Sequence, residues 1–153
     1  MSDKIRGALF NALGDIEGLT LLDAFAGTGA ICFEAVSRGA ASAVAIDIDK
    51  LAQRAITENI VSLGVEDQVQ LITSSARSWA RKNHNMFDIV VCDPPYDDMQ
   101  LPTAEKLANC CKVGGIAVYS LPPQARLIMP ENFELLQKKD YGDATLSFYR
   151  RLS

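Results

Sequence analysis

Four consecutive residues, Asp93-Pro94-Pro95-Tyr96, carry the most chemistry in this sequence. They follow an apolar run, Phe87-Asp88-Ile89-Val90-Val91-Cys92, that predicts a buried parallel strand. The tetrapeptide then stands where a strand of an α/β sheet empties into its crevice, the usual ligand position of that architecture. Each proline fixes φ near about −65° and offers no amide hydrogen, so carbonyls can point into the crevice as acceptors. Asp93 adds a charged acceptor, and Tyr96 a flat ring for stacking. Two acceptors converging beside a ring suit a planar ligand with an exocyclic amine. The chemistry expected is therefore on a nucleobase amine or a carboxamide.

A second signal is the glycine-rich stretch Leu21-Leu22-Asp23-Ala24-Phe25-Ala26-Gly27-Thr28-Gly29-Ala30. Glycines let backbone approach a ligand closely, and a helix N-terminus favours a carboxylate or phosphate. The dinucleotide fingerprint is not met, because Cys32 stands where the third glycine belongs. Asp23, just before the turn, would repel a pyrophosphate but could bind an ammonium group, which favours a zwitterionic amino-acid ligand. The third signal is Ile46-Asp47-Ile48-Asp49. A carboxylate at a second strand end can accept both hydrogens of a ribose diol, and Asp47 is the better placed. Asp49 has a competing reading as the cap of the following helix. Taken together, the three signals describe a pocket for S-adenosyl-L-methionine beside a pocket for a methyl acceptor.

These motifs need strands and helices to hold them, and the pattern supplies both. Ser2 or Asp3 can cap an amphipathic helix carrying Ile5, Leu9, Phe10 and Leu13. Strands are expected at 19–23, 42–47, 69–73, 87–92 and 116–121, and helices at 29–38, 50–63, 75–82 and 104–112. Gly114-Gly115 reads as a turn, and 133–139 with 145–150 as a hairpin joined at Tyr141-Gly142-Asp143. The expected fold is one α/β domain over residues 1–153, with a doubly wound, mostly parallel seven-stranded sheet and an antiparallel C-terminal hairpin.

Composition bounds the alternatives. With 153 residues, 48% hydrophobic and 22% charged, the chain can bury a core, and no apolar stretch is long enough to span a bilayer. The N-terminus lacks the apolar region of a secretory signal. Cys32, Cys92, Cys110 and Cys111 form no CxxC pair and read as reduced residues of a cytoplasmic protein, not as a zinc site. His84, the single histidine, lies in a polar stretch that predicts a surface loop, and no metal is expected. A net charge of −4 argues mildly against a nonspecific nucleic-acid binder, although Lys4, Arg6, Arg38, Arg77, Arg81 and Lys82 could gather on one face. Arg77 and Arg81 are equally readable as a solvated helix face, Trp79 as core, and Arg150-Arg151 as a solvated tail.

The whole chain resembles the Rossmann-like class I methyltransferases of exocyclic amines, and more narrowly the RsmD-like family of bacterial 16S rRNA guanine-N2 methyltransferases. The resemblance rests on residues 2–11, Phe25-Ala26-Gly27-Thr28-Gly29-Ala30, Glu34-Ala35-Val36-Ser37-Arg38-Gly39-Ala40, Asn59, and Phe87-Asp88 leading into Asp93-Pro94-Pro95-Tyr96. It implies that Asp23, Phe25, Gly27, Thr28 and Gly29 line the methionine end of the cofactor. Asp47 would hold the ribose, with Ile48, Ser75 and Ala76 at the adenine. Asp93, Pro94 and Tyr96 would act on the target guanine, with Lys4, Arg6, Arg38 and Pro95 contacting the RNA. The implied partner is 16S rRNA or the small-subunit particle, bound by a monomer. The sequence departs from the family pattern at three places. It begins where the family's basic arm ends, it carries Ser74-Ser75-Ala76 where an acidic residue is usual, and it has Gly7 in place of a glutamate.

Rival readings predict different acceptors. The same pocket could methylate DNA adenine, a protein glutamine or a small molecule. Glutamine enzymes usually carry Asn before Pro-Pro-Tyr, and no target-recognition domain for DNA is visible. A non-catalytic cofactor-binding scaffold would have no need of the complete Asp93–Tyr96 segment, and an NAD oxidoreductase would need the missing third glycine.

Overall fold

A computed structural model describes residues 1–153. Five helices and seven strands alternate along the chain: α1 (Asp3–Leu13), β1 (Thr20–Asp23), α2 (Ala30–Ser37), β2 (Ser42–Ile46), α3 (Lys50–Leu63), β3 (Val69–Ile72), α4 (Ala76–Ala80), β4 (Phe87–Cys92), α5 (Leu101–Leu107), β5 (Cys111–Leu121), β6 (Phe133–Asp140) and β7 (Thr145–Arg151). A single 3-10 turn, Ala108–Cys110, joins α5 to β5. The strands form one sheet in the order β3-β2-β1-β4-β5-β7-β6. The first five pair in parallel, whereas β7 runs antiparallel to both β5 and β6. The expected doubly wound sheet with its closing hairpin is therefore the fold observed.

Strand periodicity explains why both faces are covered. Side chains alternate across a strand. Leu21, Ile89 and Val91 enter one apolar cluster with Ile5, Leu9 and Phe10 of α1, Ile31 of α2 and Ile56 of α3. Their neighbours Leu22, Val90 and Cys92 enter a second cluster with Ala76 and Ala80 of α4 and Leu107 of α5. A sheet buried on both faces reads as unbroken apolar runs, as β4 does. Local signals set the helix starts. Ser2 Oγ accepts from Ile5 N at 3.2 Å, and Asp49 Oδ2 accepts from Ala52 N at 2.9 Å. Asp49 thus takes the capping role.

Connection order then positions the site. β1 lies between β2 and β4, so chain order reverses beside it. Ligands of open parallel sheets sit at such a switch point, outside the carboxyl ends of the strands. Those ends are Asp23, Ile46 and Cys92, which bring all three sequence motifs to one edge.

Three expectations need correction. The helix expected over 104–112 runs from Leu101 to Leu107, and Gly114-Gly115 lie inside β5 instead of forming a turn before it. The β4–β5 pairing jumps from Phe87–Cys111 to Ile89–Ile116, so the intervening stretch of β5 bulges. Gly115 is required there by a close approach: a Cβ would stand 2.7 Å from the Asp88 carbonyl oxygen and 2.7 Å from Cys111 Sγ. Arg150 and Arg151 are not a solvated tail either. Arg151 Nη1 donates to the Cys111 carbonyl at 2.6 Å and to Asn85 Oδ1 at 3.0 Å, and Arg150 Nη1 donates to the Gly114 carbonyl at 2.9 Å. The arginines thus tie the end of β7 to the irregular entry into β5.

Candidate active site

A cavity of about 820 Å3 opens at the carboxyl ends of β1, β2 and β4. It gathers most of the residues expected from sequence: Asp23, Phe25, Gly27 and Thr28 from the first turn, Asp47 and Ile48 from the second, Ser75 and Ala76 at the start of α4, and the whole Asp93–Tyr96 segment. Arg6 also reaches it, whereas Gly29, Lys4 and Arg38 do not line it.

Gly29 acts from behind the wall. Its φ is +84°, and a Cβ there would stand 2.8 Å from Phe33 Cε2 and 3.2 Å from Ile56 Cγ1. Only glycine lets the turn lie this close to α2 and α3. The turn is also tied sideways, because Gly27 N donates to Asp47 Oδ2 at 2.8 Å while Asp49 N donates to Asp47 Oδ1 at 2.9 Å. Asp47 therefore fixes the glycine turn to the end of β2. Each of its oxygens keeps a further lone pair for a diol.

Asp23 is the electrostatic centre. It is 1% exposed, and its Oδ1 has no hydrogen-bond partner. Burial pushes its carboxyl up to about 7, and the nearby Asp93 carboxylate adds to the rise, while the Phe25 amide opposes it. A buried carboxylate oxygen without a donor is costly unless a ligand supplies one. Ammonium is the matching donor, and the six aspartates that line the cavity, Asp23, Asp47 and Asp93 among them, favour a cationic guest. These observations fit the ammonium, ribose and sulfonium of S-adenosylmethionine. Ile48 is 64% exposed, an apolar side chain left uncovered beside the cavity. Ser75 caps α4, accepting from Ser78 N at 3.1 Å and donating to Ser78 Oγ at 3.0 Å, so much of its hydroxyl capacity is spent on the helix.

In the acceptor segment, Pro94 is buried, Pro95 is exposed, and Tyr96 is 44% exposed. The α-ammonium nitrogen of Met1 stands 3.2 Å from Asp93 Oδ2. Arg6 and Arg38 share Glu34: Arg6 Nε lies 2.9 Å from its Oε1 and Arg38 Nε 2.8 Å from its Oε2. Lys4 is exposed and forms no ion pair.

Sequence reasoning missed Ser120, Asp98, Gln100, Asp143 and Ala144, which also line the cavity. A signal for Ser120 was present: it follows Tyr119, the β5 partner of Cys92, and so flanks Asp93. Its hydroxyl is 1% exposed and has no partner. The four thiols are buried, and burial raises the pKa of each, which makes them poor nucleophiles. No group of three or more His, Cys, Asp or Glu side chains is arranged to hold a metal ion, and no helix is long and apolar enough to cross a membrane.

Sheet order, glycine turn and carboxylate set together define a Rossmann-like methyltransferase. The family described as Conserved hypothetical protein 95 matches residues 1–150, and the chain belongs to it. It is 30% identical over 155 residues to the Ribosomal RNA small subunit methyltransferase D of Haemophilus influenzae, covering 97% of this chain and 80% of that protein. A solved Escherichia coli structure, provisionally assigned as a methyltransferase, superposes with a TM-score of 0.90 at 27% identity, over 99% of this chain and 88% of the other. A Haemophilus influenzae structure, provisionally assigned as a methylase, gives a TM-score of 0.86 at 29% identity over 99% and 98% of the two chains.

Proposed function

We propose that this enzyme transfers a methyl group from S-adenosylmethionine to the exocyclic N2 of a guanine in small-subunit rRNA. One observation carries the reading: the buried Asp23 carboxylate, with its unpartnered oxygen, opens into the same cavity as the Asp93-Pro94-Pro95-Tyr96 segment. A cofactor end and an acceptor end thus share one space. The names of the relatives support rRNA as the acceptor.

When bound, the cofactor supplies an electrophilic methyl group on a sulfonium, so no side-chain nucleophile is needed. Asp23 would hold its ammonium, ionising as it does so, while Asp47 would take the ribose hydroxyls with the lone pairs left by the Gly27 and Asp49 amides and Ile48 would pack on the adenine. The chain's remaining task is to make a poor nucleophile attack, because the guanine amine lone pair is delocalised into the ring. Asp93 and the Pro94 carbonyl accept its two hydrogens, pyramidalise the nitrogen and direct its lone pair at the methyl group. As positive charge builds on nitrogen, each well-aimed acceptor is worth about 2.7–4 kcal/mol. Tyr96 stacks on the extruded base, worth about 1–3 kcal/mol. The proton then leaves to Asp93 or to solvent.

Transfer of labelled methyl to unmethylated small ribosomal subunits tests this, with naked rRNA, DNA and protein extract in parallel. Label recovered as N2-methylguanine is the expected result, and Asp93→Ala should abolish it while cofactor binding persists. Label in another acceptor, or full activity in Asp93→Ala, overturns the assignment.

A further inference from the structure

A second cavity, about 290 Å3, lies between α4 and α5 and is lined by Arg77, Arg81, His84, Thr103, Lys106 and Asn109, with Ala80 as its single apolar wall. No carboxylate lines it. In a chain of net charge −4, a cavity bounded by three full cations and an imidazole is an exception. None of the four takes part in an ion pair, although acidic residues outnumber basic ones, 19 to 15. Cations near helix C-termini complement the helix dipole. That role explains Arg77 and Lys106 individually, but it requires neither a cavity between two helices nor Arg81 and His84 facing it.

Both walls continue from the main cavity. Ser75 and Ala76 at the start of α4, and Gln100 ahead of α5, line the large site, while Arg77, Thr103 and Lys106 follow on the same two helices and Arg81 caps the end of α4. At about 1.5 Å rise per residue, Lys106 lies roughly 9 Å beyond Gln100 along α5, two or three phosphates along a stacked strand. We infer that this cavity is a phosphate-binding site that grips the RNA backbone beside the target nucleotide. The inference rests on the RNA substrate proposed above. It assigns backbone affinity to α4 and α5, in addition to any contact by Lys4, Arg6 and Arg38. Phosphate contacts of this kind fix register and supply affinity without reading sequence.

The test is RNA binding by the full chain carrying Arg77→Gln, Arg81→Gln and Lys106→Gln, measured by anisotropy with a small-subunit rRNA fragment over a range of salt. Losing three phosphate contacts should weaken binding at least tenfold at low salt and make the slope of log K against log salt shallower by about 2. Cofactor affinity and kcat at saturating substrate should stay within twofold of the parent. Lys106→Gln alone, an exposed change that spares the fold, should make the slope shallower by about 0.7. A control triple, Arg54→Gln, Arg126→Gln and Lys138→Gln, removes equal charge elsewhere and should change binding far less. Unchanged affinity and slope in the cavity variants overturns the inference while methylation by the parent stands, and so does an equal loss in the control. Inorganic phosphate titrated alone separates a free-ion site: phosphate binding lost in the cavity triple, with RNA affinity untouched, also overturns it. A parent chain that binds cofactor yet neither binds nor methylates RNA removes the proposed substrate, and this inference with it.

Discussion

Replacing Asp23 with Asn should make the cofactor-free protein more stable and, at the same time, a poorer binder of cofactor. In the folded chain the Asp23 carboxyl sits at about 7, against an ordinary value of 3.8. The folded state therefore holds this proton more tightly than the unfolded state, so stability falls as pH rises from about 4 to 7 and then levels off. The whole gap corresponds to at most about 4 kcal/mol above pH 7 and to only about 1 kcal/mol at pH 4.5. Asp23→Asn removes that cost while keeping the shape of the side chain. For a chain of this size, 1 kcal/mol moves Tm by roughly 2–4 °C, so the variant should melt about 8–16 °C higher at pH 8.5 and only a few degrees higher at pH 4.5.

The same change removes the charged partner of the ammonium, a hydrogen bond to a charged group worth about 1.5–3 kcal/mol, or roughly a ten- to hundredfold loss of cofactor affinity. Thermal melts followed by circular dichroism at the two pH values, with calorimetric titration of S-adenosylmethionine at pH 8.5, measure both effects. Titration of the parent protein at pH 6 in buffers of different ionisation enthalpy should also show a proton released on binding, as Asp23 ionises. If Asp23→Asn gains no stability at pH 8.5 and binds cofactor as tightly as the parent, the buried-charge argument is wrong.

Three further outcomes follow from the geometry. Gly29→Ala places a methyl 2.8 Å from Phe33 at a φ of +84°, and should cost about 1–3 kcal/mol in urea denaturation while raising the KM for cofactor. Gly115→Ala meets backbone oxygen and sulfur at 2.7 Å and should cost a similar 1–3 kcal/mol, but leave the cofactor KM unchanged because it lies outside the main cavity. RNA should bind more tightly in the presence of S-adenosylmethionine than of the demethylated thioether product. One added positive charge about 8 Å from a phosphate is worth about 0.5–2 kcal/mol across effective dielectrics of about 80 to 20. Equal RNA affinities in an anisotropy titration would contradict it.

What the sequence disclosed was the content of the strand ends. Asp23, Asp47 and Asp93 close apolar runs, and parallel pairing brings the carboxyl ends of such runs to one edge, so three separated motifs could be read as one pocket. Periodicity said less about α5 and β5. Gly114-Gly115 carry ordinary turn chemistry, and only the packing of Asp88 and Cys111 against them shows why they sit within a bulged strand. Arg150-Arg151 looked solvated because the carbonyls they satisfy come from residues some forty positions away. The β6–β7 turn, which brings Asp143 and Ala144 to the cavity wall, was legible as a turn but not as a wall. Its place depends on β7 pairing with β5 ahead of β6, an ordering that strand patterns do not encode.

The charge arrangement poses a physical problem for an enzyme whose proposed substrate is a polyanion. Asp23, Asp47, Asp49, Asp93, Asp98 and Asp143 all line the main cavity, where Arg6 is the one basic side chain, itself paired with Glu34 and Asp3. Such a cavity suits a cationic cofactor and an amine donor, and it repels phosphate. The base must therefore enter as a planar, neutral hydrogen-bond donor while its backbone is held elsewhere. Arg77 in the first turn of α4, and Arg81 and Lys106 about one turn further along their helices, line a cavity without carboxylates, where that backbone could be held. On the proposed reading, separating the two charges along α4 and α5 would let an acidic chain hold a cation in its centre and an anion at its flank, and the positive charge of a bound cofactor would offset part of the central negative charge before RNA enters.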